Sequence, residues 1–258
     1  MVDHADVDHS GVLGGVPTYL ADNFSLDAYP GSPNALDDEF EGGGAIDAKW
    51  TKVNDPAGGD AFSQSLYAGY LHVGLTELGT DNFASLIQLY QTAPVGTAVA
   101  TYVAKVCIAI ASDTINLTDA AEFSNVGIAL INSTNSQSIA ATLQFNDGIA
   151  TDTDKLPLAP AAASDGVNAF TTSIDYLGVT PSEWVYLRLR KTTSAAYTSA
   201  NTYEMDFSLN GMIWHNYASG SKTFTTACDR VGIICRRPKS ATGTPKTEAL
   251  VDFFRRTA

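Results

Sequence analysis

The sequence predicts an all-β protein, an antiparallel β-sandwich of about twelve strands behind an extended N-terminal arm, and three observations support this. From Asp37 onward, short runs rich in β-branched and aromatic residues alternate with turn signals, and helical periodicity is almost absent. Where a run is long enough to show a period, that period is two. Tyr67, Gly69, Leu71, Val73 and Leu75 fall on one face, as do Val126, Ile128 and Leu130. A chain of 258 residues with 45% hydrophobic content can bury a large core within a single all-β domain.

Residues 1–36 read as an arm, with residues 37–258 as the sandwich. Gly and Pro interrupt every short apolar run of the arm, so order there has to come from a partner surface. Val12, Leu13, Tyr19, Leu20, Phe24 and Tyr29 are spaced like the contacts of an extended segment laid into a groove. His4, Asp6, Asp8 and His9 offer metal-ligating atoms, but a flexible arm does not hold their spacing, and no metal is expected there. The strands then follow in order as "DEFEG", "SLYAGYLHVGL", "FASLIQLYQT", "ATYVAKVCIAI", "NVGIALINS", "IAATLQFND", "FTTSIDYL", "EWVYLRLRK", "YEMDFSLNG", "MIWHNYA", "RVGIICRR" and "ALVDFFRR". The Pro/Ala-rich segment 151–166 and the loop "RRPKSATGTPKTE" are expected outside the sheets.

The stretch "YEMDFSLNGMIWH" raises the question of chemistry, because Glu204 and Asp206 share one strand face. Asn210-Gly211 signals a two-residue type I′ turn, which would place Phe207 opposite Trp214 and Asp206 opposite His215. Upstream, a single register with "VYLRLRK" aligns Leu189 with Met205, Leu187 with Phe207, Arg190 with Glu204 and Arg188 with Asp206. The outer face would then carry the rows Arg188–Asp206–His215 and Arg190–Glu204–Tyr217, and Trp214 would pack inward. Tyr186, Arg188, Arg190, Glu204, Asp206, His215 and Tyr217 are the candidate ligand-binding residues. The same face also reads as an ordinary solvated one with cross-strand ion pairs. A general acid needs a raised pKa, whereas a facing Arg lowers one, so no catalytic residue is assigned.

With net charge −13 and pI about 4.5, the surface repels a phosphate backbone or an anionic bilayer, so neither nucleic acid nor membrane insertion is expected. Cys107, Cys228 and Cys235 form no metal or redox spacing and read as reduced, mostly buried thiols. No apolar run approaches the ~18 residues of a membrane span, and "MVDHADVDHSG" lacks the features of a secretory signal. A soluble protein made in a cytoplasm is expected, with the sequons at Asn23, Asn116 and Asn132 unglycosylated. No cofactor is expected. The acidic loops "NDPAGGD" and "NDGIATDTDK" offer oxygen ligands for a structural calcium ion.

"DDEFEGGGAIDAKW", "WVYLRLRK" followed by "YEMDFSLNGMIW", and the closing "ALVDFFRR" together resemble the concanavalin A-like lectin/glucanase jelly roll, most of all its laminin-G-like and bacterial members. The likeness covers roughly residues 37–258. Glucanases of that fold carry E-x-D-x-E or E-x-D-x-x-E on the catalytic strand. Glu204 and Asp206 match the first two positions, while Ser208 and Leu209 replace the third acid, so the resemblance implies binding more than cleavage. The arm resembles N-terminal segments of tailed-phage virion appendage proteins. That likeness implies a virion structural protein made in the host cytoplasm, docked by its arm on other virion proteins, homo-oligomeric, and presenting a lectin-like domain to host glycan. The alternative is a bacterial glycan-binding or glucanase-like domain.

Overall fold

The structure, a computed structural model, describes residues 34–41, 44–53, 62–65, 69–75, 87–110, 123–146, 158–164, 167–170, 183–236 and 247–257. Among them are no helices and fourteen strands, two of which are only two and three residues long. One seven-stranded sheet runs in the order β1 (Thr51–Val53), β4 (Ile87–Thr92), β13 (Arg230–Arg236), β6 (Phe123–Asn132), β7 (Gln137–Asn146), β8 (Leu158–Ser164) and β9 (Val167–Phe170). The other runs β12 (His215–Lys222), β11 (Asn201–Ser208), β10 (Trp184–Lys191), β5 (Ala100–Ile110), β14 (Thr247–Thr257), β3 (Leu71–Leu75) and β2 (Phe62–Ser63). Every pairing is antiparallel, and sequence-distant strands such as β5 and β14 lie side by side.

Alternation builds the core between the sheets. Val126, Ile128 and Leu130 of β6 and Ile139, Ala141 and Leu143 of β7 meet Tyr102, Ala104, Val106 and Ile108 of β5 and Val185, Leu187 and Leu189 of β10, all with no exposed surface. The outward side chains of the first sheet stay small where strands approach closely. At Gly127 a Cβ would lie 2.1 Å from the Ala141 carbonyl oxygen, so only glycine fits there.

"DEFEG" is not a strand but a clasp. Asp38 makes an isolated antiparallel bridge to Phe254, with reciprocal backbone hydrogen bonds of 2.8 Å. Phe40 then turns the chain away at φ 51, its N–H donating to Asp38 Oδ1 at 2.9 Å. Trp50 packs against Phe40 and Phe254 and donates its Nε1–H to Asp38 Oδ2 at 2.6 Å, so sequence-distant segments close one end of the sandwich.

Segment 151–166 does not stay outside the sheets, since Leu158–Ser164 pairs with β7 along its length. Pro160 is tolerated because β9 pairs only with Ala162 and Ser164, so the strand has a single neighbour where the N–H is missing. The strand at Leu71 starts later than its alternation suggested, because Gly69 sits outside it at φ 86. Most of "FTTSIDYL", loop 237–246, the arm through residue 33 with its six anchors and its His/Asp cluster, and both calcium-candidate loops except Asn146 lie outside the described residues. All three cysteines are free and buried. Asn132 is also buried and its amide donates to Thr226, leaving that sequon no access for a glycan.

Candidate functional site

The expected β10–β11 register is present pair for pair, Leu187 with Phe207, Arg188 with Asp206, Leu189 with Met205 and Arg190 with Glu204. Strand period then sends Trp184, Tyr186, Arg188 and Arg190 to the outer face of the second sheet, where β5 adds Val103 and Lys105 and β11 adds Glu204 and Asp206. These residues form two neighbouring groups.

The first group is a charged cluster around Asp206, a residue with no exposed surface. Its carboxylate accepts from Arg188 Nε at 2.9 Å, from Arg190 Nε at 2.7 Å and Nη2 at 3.2 Å, and from Asn216 Nδ2 at 3.0 Å. Arg190 also pairs with Glu204. Burial alone would push the Asp206 pKa up, but the hydrogen bonds from Arg190, Asn216 and Arg188 outweigh it and hold the carboxyl below its ordinary value. Asp206 is therefore an ionised anchor that aims two guanidinium groups outward. It has no proton to donate to a leaving group and no surface to offer a ligand.

The second group is aromatic. Tyr70 and Trp184, both half-buried, stack at 5.3 Å with an interplanar angle of 29°. Lys105 Nζ lies 5.1 Å from the Trp184 ring and 5.6 Å from Tyr186, and is fixed by Asp252 at 2.7 Å. Burial would lower the Lys105 pKa, but the hydrogen bond and charge of Asp252 more than offset it and the value is raised. Tyr186, buried, packs on Val103 and Phe253 and forms the floor. Trp214 covers this patch from the side, with the Arg188 guanidinium 4.1 Å from its ring, so the two groups meet.

Trp214 was expected in the core, and the β11–β12 connection explains its reversal. Leu209–Trp214 forms a wider loop rather than a two-residue turn, because Asn210 does not take the positive φ that a type I′ turn demands of both central residues and only Gly211 does, at 73°. The pairing is therefore shifted by one residue, Phe207 with His215 and Asp206 with Asn216, and a bulge at Met205/Asp206 shifts it again. His215 consequently lies on the core-facing side, exposed and stacked on Phe207 at 5.2 Å, and Tyr217 is buried in the core. Neither joins the outer face. Asn216 and Ser219 take the positions assigned to them, opposite Asp206 and Glu204.

Of the seven candidate residues, Arg188, Arg190 and Glu204 are partly exposed on the face, Tyr186 and Asp206 support it from below, and His215 and Tyr217 belong elsewhere. Tyr70, Lys105, Trp184, Trp214, Asn216 and Asp252 were missed. Trp184 was within reach, since W-x-Y-x-R-x-R places it on the same face as Tyr186 and Arg188. Lys105, Asp252 and Tyr70 come from β5, β14 and the chain before β3, and no local pattern joins them. Among the described residues no group of three or more His, Cys, Asp or Glu could hold a metal ion.

No protein-family model matches the chain, and no curated protein matches it. Among solved structures, the GH43 protein BlXynB from Bacillus licheniformis matches at a TM-score of 0.62 and 14% identity, over 88% of this chain and 40% of that one. The chain thus spans less than half of that protein's length. The endo-1,3-beta-glucanase from Streptomyces sioyaensis matches at a TM-score of 0.48 and 14% identity, covering 88% of this chain and 98% of its own. Winged bean acidic lectin matches at 0.46 and 9%, covering 86% and 97%. What the chain shares with BlXynB is the fold, the two-sheet antiparallel β-sandwich that its resemblance to the concanavalin A-like jelly roll implied.

Proposed function

We propose that the outer face of the second sheet binds carbohydrate and does not cleave it. The observation behind this is the half-buried Tyr70–Trp184 stack beside the fixed donors Lys105, Arg188 and Arg190. A sugar has apolar C–H faces that pack on aromatic planes and hydroxyls that accept from fixed cationic donors, so a flat patch of this composition suits it. Cleavage would need an acid and a nucleophile or base. Asp206 is buried and held ionised, and Glu204 is paired to Arg190, so the two matched positions of the glucanase pattern serve to orient arginines. The virion role draws on the arm, whose residues 1–33 lie outside the described residues, whereas the glycan reading draws on the sheet.

Titration calorimetry with soluble β-1,3-glucan and xylan tests the reading. Binding to at least one polysaccharide is expected, weakened about tenfold or more in Trp184→Ala, the loss of one stacking and cation–π partner. Unchanged affinity in that variant would remove the site from this face. Release of new reducing ends, abolished in Glu204→Gln, would replace binding with hydrolysis.

A further inference from the structure

We propose that the Leu209–Trp214 loop is a peripheral membrane contact, seating its apolar tip among the headgroups of a lipid bilayer. Leu209, Met212 and Ile213 are 53%, 46% and 62% exposed within five consecutive residues. The other large apolar side chains exposed among the described residues, Val95 and Val99, lie in the β4–β5 connection, at the opposite end of the sheet. Clustered exposed apolar side chains on a well-formed loop mark a contact surface, unlike scattered single ones.

The loop backbone is prepared for a medium without water. The N–H groups of Asn210 and Gly211 donate to Ser208 Oγ at 3.3 and 2.9 Å, and those of Met212 and Ile213 donate to Asn210 Oδ1 at 2.9 and 3.0 Å. Four successive donors are thus satisfied by the last side chain of β11 and one side chain of the loop, so burying the tip in lipid strands none of them. The loop is also held in shape. Gly211 sits at φ 73 against the Tyr186 ring, where an added Cβ would come within 3.1 Å of Cε1.

The order of chemistry behind the tip selects a bilayer as the occupant. Leu209, Met212 and Ile213 are followed along the sheet by Trp214 and by Tyr186, which pairs with Ser208 and has Lys105 level with it, and then by the cation Arg188, which pairs with Asp206 one row further from the loop. Hydrocarbon, amphipathic ring and cation follow one another in the same order on going outward through a bilayer surface. Arg188 and Lys105 are neutralised by Asp206 and Asp252, and the chain carries net charge −13, so the contact does not depend on anionic lipid. It is shallow and differs from the membrane insertion that the net charge argued against, since an uncharged tip makes it.

Full-length protein and phosphatidylcholine vesicles, which carry no glycan, test this apart from carbohydrate binding. Weak cosedimentation is expected, with a blue shift of tryptophan fluorescence that disappears in Trp214→Phe, and no release at about 1 M salt. Changing Met212→Ser and Ile213→Ser together should lower vesicle binding by about tenfold or more at unchanged Tm. Protein that stays in the supernatant, or a doubly substituted protein that binds as well as the original, overturns the proposal. So does lipid-free self-association that this double substitution abolishes, which would make a second copy the occupant.

Discussion

Asp206 shows how a single residue can look like a binding group in sequence and be a support in structure. Its neighbours saturate it, and its charge compensates two guanidinium groups. Asp206→Ala would leave Arg188 with Trp214 and Arg190 with Glu204, a partial rescue of two guanidinium groups that keep some access to water although Asp206 itself is buried. We expect a loss of about 3 kcal/mol, which thermal unfolding would register as a Tm fall of roughly 6–12 °C. A substitution that weakened carbohydrate binding at unchanged Tm would return Asp206 to the role of direct contact. The pH dependence has a fixed sign. A carboxyl with a depressed folded pKa contributes stability fully above its ordinary value of 3.8, and that stability is lost as pH falls through the lower folded value. Chemical denaturation between neutral pH and about pH 2 should show this acid-side loss in the parent and a smaller one in Asp206→Ala.

At the scale of the element, the β11–β12 loop decides which face each downstream side chain occupies. Gly211 is needed for its positive φ and for its approach to Tyr186, so Gly211→Val should cost about 1–3 kcal/mol. Trp214→Ala should cost about 1–2 kcal/mol, the value of a partly buried ring under a guanidinium, and not the 3–5 kcal/mol of a core tryptophan. Urea unfolding of the two variants checks both values. A loss at Trp214 in the core range would mean that the ring faces inward after all. β8 carries a related lesson, because its composition, Pro160 among alanines, reads as loop and its place beside β7 makes it a strand. Pairing partners outweigh weak intrinsic propensity.

At the scale of the whole molecule, all three thiols are buried away from solvent. Cys228 and Cys235 lie in the core between the sheets, while Cys107 is buried beside Trp184 on the outer face of the second. Burial pushes the Cys107 thiol up to about 11 and raises Cys228 further, so neither supplies thiolate near neutrality. Native protein at about pH 8 should therefore leave Ellman's reagent unreacted over a period in which denaturant-unfolded protein reacts completely. Prompt release of one equivalent would locate a local opening of the sandwich.

Legible in the sequence were the fold class, most strand positions and the β10–β11 register, because a period of two and matched charges are local properties of neighbouring strands. The same locality made Arg188, Arg190 and Glu204 recognisable as one face. The turn departs from the type I′ preference of Asn-Gly where Gly211 packs against Tyr186 of the neighbouring strand and the Ser208 and Asn210 side chains take the loop N–H groups, and the bulge at Met205/Asp206 shifts the pairing further. That one-residue shift moved His215 and Tyr217 off the face and brought Trp214 onto it, since every slip of one reverses the side of a strand residue. Lys105 and Tyr70 reach Trp184, and Asp252 reaches Lys105, only because the sheet lays β10, β5, β14 and β3 down in that order, and contacts between such distant segments leave no trace in local sequence.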